Sequence, residues 1–296
     1  MNEHYLFSVI IRRRKNRVSL KRQPGLPVSP DRQNEGNNMK IWALGDAVVD
    51  LLPVGEMRYQ ACAGGAPFNV VVGAARLAAE TAFIGRVGED TFGRFLKKTL
   101  EEQGVDAGYM IRDAEHRTST VMVDLAESGE RSFSFLVNPS ADQFLTSDDL
   151  PPFGRDILHF CSLALAAETC RDTTLQAVSR IKENNGSVSF DLNLREQMWA
   201  DKQQMRQVVR QQCAAADILK LSDDELFWLA DDQSTELQQA LHCLEPYPAA
   251  LKIITRGKDG VVVIYQGQTL SFAGYPVDSI DTTGAGDAFM AGLLAW

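Results

Sequence analysis

The sequence predicts an α/β fold, a doubly wound and mostly parallel sheet with helices on both faces. Short apolar runs alternate with segments of helical periodicity from Met39 onward, which is the pattern of consecutive βαβ units. Polar clusters follow several of these runs, at the strand ends where open sheets of this class bind ligands. The 296 residues, 45% of them hydrophobic, are enough for one large core.

Amphipathic helices are expected between short apolar strands. Helical periodicity is clear at residues 172–183, where Leu175, Val178 and Ile181 lie three apart and are expected to face the core. In chain order, the predicted strands span residues 40–44, 81–84, 157–161, 187–190, 218–221, 251–254, 261–264 and 269–272, the last two as a hairpin.

One segment departs from this alternation and predicts a β-hairpin. Residues 119–125 and 131–137 are strand-like and flank a polar turn. Together with residues near 51–63, the hairpin region at 117–137 is expected to form a small sheet that stands off the main one as a lid over a site. A homodimer through this lid is one assembly that the arrangement allows.

Residues 1–38 differ in composition from the rest of the chain. They hold 8 Lys and Arg against 3 Asp and Glu, whereas the remaining residues carry a net charge of −14. We interpret residues 1–38 as a disordered or spurious extension, with translation from Met39 as one explanation and a targeting leader as the alternative. The globular domain is then expected to span residues 39–296.

Composition argues against several classes of partner and site. The acidic body has no basic stripe, which argues against nucleic-acid binding. No apolar run approaches the ~18 residues of a membrane span. Five scattered cysteines indicate reduced thiols in a cytoplasmic protein, and the four histidines are too far apart for a zinc motif. The sequence also lacks P-loop, Rossmann and nucleophile-elbow motifs.

The most specific motif is DTTGAGD at residues 281–287, which leads into an apolar helix. A small-residue turn at a helix start presents backbone N–H groups, here at Gly284, Ala285 and Gly286, that would bind an anion. The carboxylate of Asp287 suits a base that takes a proton from an attacking hydroxyl. The alternative is an ordinary helix start with an acidic first turn.

Two clusters in the N-terminal half predict a site for hydroxyl groups. Asp46 and Asp50 follow the first strand in apolar surroundings, where polyol hydroxyls would supply the hydrogen bonds that a carboxylate needs. A turn or cap is the alternative, more so for Asp46. Gly65 permits close approach of a ligand, and Asn69 offers a donor and an acceptor before a helix predicted at residues 70–80. A plain turn would explain this cluster equally well.

Further clusters in the C-terminal half predict contacts to oxyanions. Asn193 and Arg195 follow the strand at 187–190, and the Arg195 guanidinium would bind phosphate or sugar oxygens unless it forms a surface salt bridge. Segments 220–225 and 255–260 combine turn residues with groups able to hold phosphates or hydrated Mg²⁺. Acidic helix starts and glycine turns are common, so a purely structural role is the alternative for each segment.

Taken together, these motifs resemble the ribokinase-like (PfkB) carbohydrate kinase family, from about Met39 to the last residue. Residues 281–294 match that family's C-terminal signature. The resemblance implies a ribokinase-like fold and an ATP-dependent phosphotransferase, with Mg²⁺ and K⁺ as expected ions. Within the family, residues 45–53, 83–90 and 138–142 are similar to those of bacterial fructokinases, which implies fructose as acceptor and fructose 6-phosphate as product.

The resemblance also implies roles for individual residues. Asp287 would be the base, and the amides of Gly284, Ala285 and Gly286 would form the anion hole. The implied sugar contacts are Asp50, Gly65, Asn69 and Arg195, the implied nucleotide contacts are Asn193, Lys220, Glu225, Thr255, Gly257 and Gly260, and the implied monovalent-cation site is formed by Asp281 and Thr283.

Two alternatives remain open at this point. Aminoimidazole riboside kinases have similar sequence motifs, so a riboside or another nucleoside is an alternative phosphoryl acceptor. Phe68, Val71 and Asn138 depart from residues usual in the family, and family members continue beyond the helix that ends this sequence. A C-terminally truncated fold is therefore expected, and a non-catalytic relic with impaired ATP binding is the second alternative.

Overall fold

The computed structural model of the protein describes residues 39–125, 131–231, 236–277 and 282–296. The extension predicted at residues 1–38 lies outside these ranges. In chain order the described strands are β1 Ile41–Leu44, β2 Val48–Gly55, β3 Arg58–Gly64, β4 Thr81–Gly88, β5 Asp106–Asp113, β6 Thr120–Leu125, β7 Arg131–Phe135, β8 Ile157–Cys161, β9 Ser187–Asp191, β10 Ile218–Ser222, β11 Leu251–Thr255, β12 Val261–Tyr265 and β13 Gln268–Phe272. Every strand predicted from the sequence is present.

Helices separate most of these strands. They are α1 Ala66–Arg76, α2 Thr91–Glu102, α3 Glu168–Glu183, α4 Lys202–Ala215, α5 Asp223–Leu229, α6 Leu237–Ala240 and α7 Ala285–Ala295. Two single-turn 3₁₀ helices, Ala141–Phe144 and Ser147–Asp149, lie between β7 and β8.

The main sheet contains nine described strands in the order β13-β12-β11-β10-β9-β8-β1-β4-β5. Neighbouring strands from β5 to β11 are parallel, whereas β12 and β13 continue the sheet as an antiparallel hairpin. The carboxyl ends of parallel strands lie along one edge, so the loops after β1, β8, β9, β10 and β11 meet there. The predicted mostly parallel sheet is confirmed.

Core residues cover both faces of this sheet. Along β1, Trp42 and Leu44 pack in a cluster that includes residues of α3, α4 and α5. Ile41 and Ala43 point the other way, into clusters that include residues of α1, α2 and α7. Alternate residues of a strand face opposite sides, so a strand buried on both sides is a continuous apolar run. The predicted doubly wound arrangement is therefore confirmed.

Two helix predictions need correction. In α3, Val178 and Ile181 are buried but Leu175 is 37% exposed. A helix has 3.6 residues per turn, so residues spaced three apart rotate progressively around its axis. Leu175, six residues before Ile181, therefore lies at the margin of the buried face. Helix α1 spans Ala66–Arg76 instead of residues 70–80, because Pro67 fits the first helical turn and Ala78 adopts a left-handed φ of 68°.

The small sheet contains β3, β2, β6 and β7 in that order. Strands β6 and β7 are antiparallel, as the predicted hairpin requires, and β6 lies parallel to β2. Strand β2 leaves the main sheet directly after β1, through the connection Gly45 to Ala47. The predicted second, smaller sheet is confirmed, and its action as a lid stays a prediction.

Two further expectations can be compared with the described residues. None of their helices combines the length and the apolar character needed to cross a membrane. All five cysteines carry free thiols, and four of them are buried. The reduced state of these thiols stays a prediction.

Candidate active site

Helix α7 begins after a left-handed turn. Gly284 precedes the helix with a φ of 72°, which glycine adopts without strain. The N–H groups of Gly286 and Asp287 fall in the first turn, where the helix itself provides no acceptor. The Ala285 N–H already donates to the Thr282 carbonyl at 3.1 Å. Of the predicted anion hole, the Ala285 amide is thus engaged, the Gly284 amide stays a prediction, and the amides of Gly286 and Asp287 are placed to meet an anion.

The carboxylate of Asp287 is oriented by an amide from α1. Asn69 lies in the first turn of that helix, which Gly65 precedes with a φ of 105°. The Asn69 Nδ2 donates to the Asp287 Oδ2 at 2.8 Å. Asp287 is only 8% exposed. The carboxylate is thus buried and fixed on one side.

Close packing of α1 against α7 brings these two side chains together. A Cβ placed on Gly73 would lie 2.6 Å from the Cβ of Ala291, so only glycine permits this approach. Val70 and Ala74 of α1 belong to the same buried cluster as Met290 of α7. The apolar seam between the helices therefore positions the polar pair at their N-terminal ends.

Burial determines the acidity of Asp287. Removal from water raises its pKa, while the Asn69 hydrogen bond and the charges of Lys220 and Arg195 act in the opposite direction. A carboxylate with a raised pKa is a stronger base than one in water. Asp287 is therefore suited to accept a proton.

Asp287 opens into a cavity of about 370 Å³ that residues of both sheets line. Gly257 and Gly260 do not line it, because they form the turn after β11, and Asp281 lies outside the described residues. The predicted residues that the structure brings together here are Asp50, Gly65, Asn69, Asn193, Arg195, Lys220, Glu225, Thr255, Thr283, Gly284, Ala285, Gly286 and Asp287.

The small sheet contributes apolar side chains to the same cavity. Val121 of β6 and both Phe133 and Phe135 of β7 line it. Phe133 is 39% exposed. These positions were not predicted, although the alternation along the hairpin does place Val121 on one face of its strand. An apolar wall of this kind would exclude water from a bound ligand.

A buried ion pair lies at the carboxyl ends of β9 and β10. Lys220 Nζ donates to both carboxylate oxygens of Asp191, at 3.0 and 2.9 Å. Burial favours the neutral form of Lys220, but attraction to Asp191 and Glu225 outweighs it, so the pKa of Lys220 is raised. The ammonium also lies close to the anion turn, 3.1 Å from where a Cβ on Gly286 would be. Asp191 was not predicted as a site residue.

Glu225 is held by backbone groups. Its Oε1 accepts the Leu194 N–H and its Oε2 accepts the Ser222 N–H, each at 2.8 Å. The Ser222 hydroxyl in turn accepts the Glu225 N–H, which completes a capping box at the start of α5. This carboxylate therefore ties the β9 loop to the β10 loop at the cavity wall.

The carboxylates that line the cavity fit a metal ion whose remaining ligands are phosphate oxygens and water. Across the described residues there is no cluster of three or more His, Cys, Asp or Glu that could hold a metal ion alone. Asp287 and Glu225 nevertheless line one cavity. Mg²⁺ keeps several waters and needs only one or two carboxylates when phosphates supply further oxygens.

Comparison with known proteins points to one family. The model of the pfkB family carbohydrate kinases matches residues 40–296. A fructokinase of Klebsiella pneumoniae is 51% identical over 261 residues, which are 87% of this chain and 84% of that protein. An aminoimidazole riboside kinase of Salmonella typhimurium is 40% identical over 256 residues, which are 86% of this chain and 80% of that protein.

Solved structures agree with the sequence relatives. The fructokinase of Vibrio cholerae O395 in its fructose, ADP and calcium ion bound form has a TM-score of 0.83 and 46% identity, covering 87% of this chain and 83% of that one. Aminoimidazole riboside kinase from Salmonella enterica has a TM-score of 0.80 and 37% identity, covering 86% and 83%. The match spans the main sheet, the small sheet and the cavity, and this chain belongs to the pfkB family of carbohydrate kinases.

Proposed function

We propose that this protein is a fructokinase that transfers the γ-phosphoryl group of ATP to the 6-hydroxyl of fructose. Membership of the carbohydrate kinase family already makes it a phosphotransferase with a sugar hydroxyl as acceptor. The observation that carries the proposal is the buried Asp287 carboxylate, fixed by Asn69 beside a helix start and open to one cavity. Fructokinases at 47–51% identity support fructose as the sugar.

The chemistry follows from where Asp287 lies. Its carboxylate takes the proton of the 6-hydroxyl as that oxygen attacks the γ-phosphorus, and the bond from the γ-phosphorus to the bridging oxygen of ADP breaks. The N–H groups at the start of α7 and the Lys220 ammonium offset negative charge that develops on the transferred group. The products are fructose 6-phosphate and ADP.

The sugar is assigned to the half of the cavity next to the small sheet. Asp50, Gly65 and Asn69 lie on β2 and around the start of α1, and Arg195 lies in the loop after β9. All four line the cavity. Carboxylate, amide and guanidinium groups together can satisfy several hydroxyls of one sugar. The Val121 and Phe133 side chains would close over it as a lid.

The nucleotide is assigned to the half formed by the loops after β9, β10 and β11. Asn193, Lys220, Glu225 and Thr255 line this part. Gly257 and Gly260 form the turn that borders it and remain predictions as nucleotide contacts. The Vibrio cholerae enzyme, which shares the fold, was solved with bound ADP, which supports a nucleotide as the second ligand.

Carboxylates of the cavity are also the proposed ligands of the metal ions. Mg²⁺ would be held through waters by Glu225 and Asp287, where it would neutralise phosphate charge when bound. Solved relatives contain calcium or potassium ions, which supports a metal with the nucleotide. A K⁺ site at Thr283 and Asp281 remains a prediction. A homodimer through the small sheet and a cytoplasmic location are likewise proposals.

A coupled assay of ADP release tests the substrate. Fructose, ribose and aminoimidazole riboside are compared by kcat/KM with the same preparation, and fructose is expected to be the best acceptor. A mock preparation from cells without the gene provides the control for contaminating kinases, and the same acceptors are measured with it. Higher kcat/KM with the riboside would overturn the proposal in favour of a nucleoside kinase.

A further inference from the structure

A second cavity adjoins the proposed sugar site and shares a wall with it. This side cavity has a volume of about 160 Å³, and its polar lining includes Asp46, Asp142 and Gln143. Asp46 also lines the main cavity. The rest of the side cavity includes small side chains such as Ala164 and Ala167. The two cavities therefore meet at one buried carboxylate.

Both carboxylates at the side cavity have acceptor capacity to spare. Asp46 is 7% exposed, and no other side chain of the described segments donates a hydrogen bond to it. Ser140 bonds the carboxylate of Asp142, but Oδ1 of Asp142 is buried without a hydrogen-bond partner in the described part of the chain. A buried carboxylate oxygen without a donor is costly. A ligand with hydroxyl groups would supply the missing donors.

Electrostatics at the side cavity favour the protonated form of both carboxyl groups. Burial, followed by the charges of Asp142 and Asp287, raises the pKa of Asp46 to about 7, against the opposing effects of its own backbone N–H and of Arg195. Burial also raises the pKa of Asp142, against a hydrogen bond from Ser140. A protonated carboxyl group donates a hydrogen bond as well as accepting one, which matches the needs of an alcohol.

The wall that carries Asp142 is braced from the main sheet. Arg86 on β4 donates to both oxygens of Asp149, at 2.8 and 3.2 Å. Asp149 in turn accepts the Thr146 N–H at 2.8 Å, in the segment that directly follows the 3₁₀ helix bearing Asp142. This bracing limits how far the side cavity can collapse when it is empty, so the carboxylate is organised before a ligand arrives.

We propose that Asp46 and Asp142 bind the hydroxymethyl group at the end of fructose remote from the reacting hydroxyl. This inference rests on the proposed function and names the specificity-determining contact of that site. Fructofuranose carries a hydroxymethyl group at its anomeric carbon, whereas ribofuranose carries hydrogen there. The side cavity would therefore select a ketohexose over an aldopentose.

The test compares Asp142→Asn with Asp148→Asn in the full-length protein. Asp148 lies on the neighbouring 3₁₀ helix and is exposed, so it is a matched control for the change in charge. KM and kcat are measured with fructose and with 1-deoxyfructose, which lacks the hydroxyl in question. We expect Asp142→Asn to raise KM for fructose about tenfold, the loss of one hydrogen bond, with little change in kcat.

The same KM measurements show whether Asp142 binds the hydroxymethyl group. With 1-deoxyfructose, Asp142→Asn and wild type should have the same KM, because the contact is absent from both. Equal KM values for fructose in Asp142→Asn and Asp148→Asn would overturn this inference alone. A wild-type protein that neither binds nor phosphorylates fructose would overturn the proposed function, and the inference with it.

A second variant covers the case in which Asp142→Asn does not fold. Ala167→Leu fills the side cavity from a partly exposed position and removes no polar group. It should raise KM for fructose and leave KM for 1-deoxyfructose or ribose less affected, since those sugars place fewer atoms there. An equal effect on all three sugars, or none, would count against the assignment.

Discussion

Nδ2 of Asn69 donates a hydrogen bond of 2.8 Å to Oδ2 of Asp287, joining residues 218 positions apart. The bond engages Oδ2 and restricts rotation of a carboxylate that lines the cavity. It also stabilises the ionised form, against the effect of burial. One amide therefore sets both the direction and the basicity of the proposed base.

Replacing Asp287 with Asn should abolish the proton-accepting group and keep the shape. We expect kcat to fall by about 10²–10⁴-fold, the usual contribution of general acid–base catalysis. Fructose binding, measured by calorimetry, should stay near the wild-type value because other residues hold the sugar. Turnover close to wild type would contradict the role of Asp287 as base.

Replacing Asn69 with Ala should shift the pH dependence of catalysis. In the wild-type protein the hydrogen bond from Asn69 lowers the pKa of Asp287. Removing this bond should therefore raise the pKa. The base acts when deprotonated, and activity falls as pH drops through its pKa. The acidic limb of the kcat profile should therefore move to higher pH. Asn184→Ala, at the exposed C-terminal end of α3, is the control and should leave the profile unmoved.

Replacing Gly73 with Ala should force α1 and α7 apart. The new Cβ would lie 2.6 Å from that of Ala291. Overpacking of this kind costs about 1–3 kcal/mol of unfolding free energy, measurable by urea denaturation. Adding Ala291→Gly should recover most of the loss and of kcat. Gly292→Ala has open space and should not destabilise; if both single variants behaved alike, the close approach would not matter.

Replacing Lys220 with Met should leave Asp191 as a buried, uncompensated carboxylate. Asp191 is 1% exposed, and loss of one partner of a buried pair costs about 3–5 kcal/mol. Without Lys220, burial and the charges of Glu225 and Asp287 raise the folded-state pKa of Asp191 unopposed by that ammonium. The stability of the variant should therefore be higher at low pH and decline as pH rises through that pKa.

The control for this variant is Lys182→Met. Lys182 and Asp217 form a partly exposed pair at 2.6 Å. Such pairs contribute about 0–1 kcal/mol, so little change is expected. The double variant Lys220→Met/Asp191→Asn should regain part of the lost stability, and failure to do so would show that Lys220 supports the fold through other contacts.

The strands of the main sheet were predictable because strands buried on both faces are continuous apolar runs. Strand β5 at the sheet edge was missed, since Asp106–Asp113 mixes apolar with charged residues and resembles a loop. The small sheet was predicted from its hairpin. The parallel pairing of β2 with β6 depends on a contact between distant segments that no local pattern encodes.

Site residues were predictable where a turn or a strand end marked them. The pairing of Asp191 with Lys220 depends on the register of β9 against β10, which places these residues side by side. Sequence spacing does not reveal that register. For Asp46 the sequence allowed two roles, a helix or turn cap and a ligand contact. Its position between two cavities favours the ligand contact. Gly257 and Gly260 matched the motif but lie in a local turn.

The seam between α1 and α7 also sets the order in which activity can appear during synthesis. A ribosome that adds ~5–20 residues per second needs roughly 10–40 s to pass from Asn69 to Asp287. Throughout that interval Val70 and Ala74 lack the partners that Met290 and Ala291 of α7 provide in the folded protein. If Asp287 is the base as proposed, phosphoryl transfer can begin only after α7 docks on α1, so a nascent polypeptide without α7 consumes no ATP.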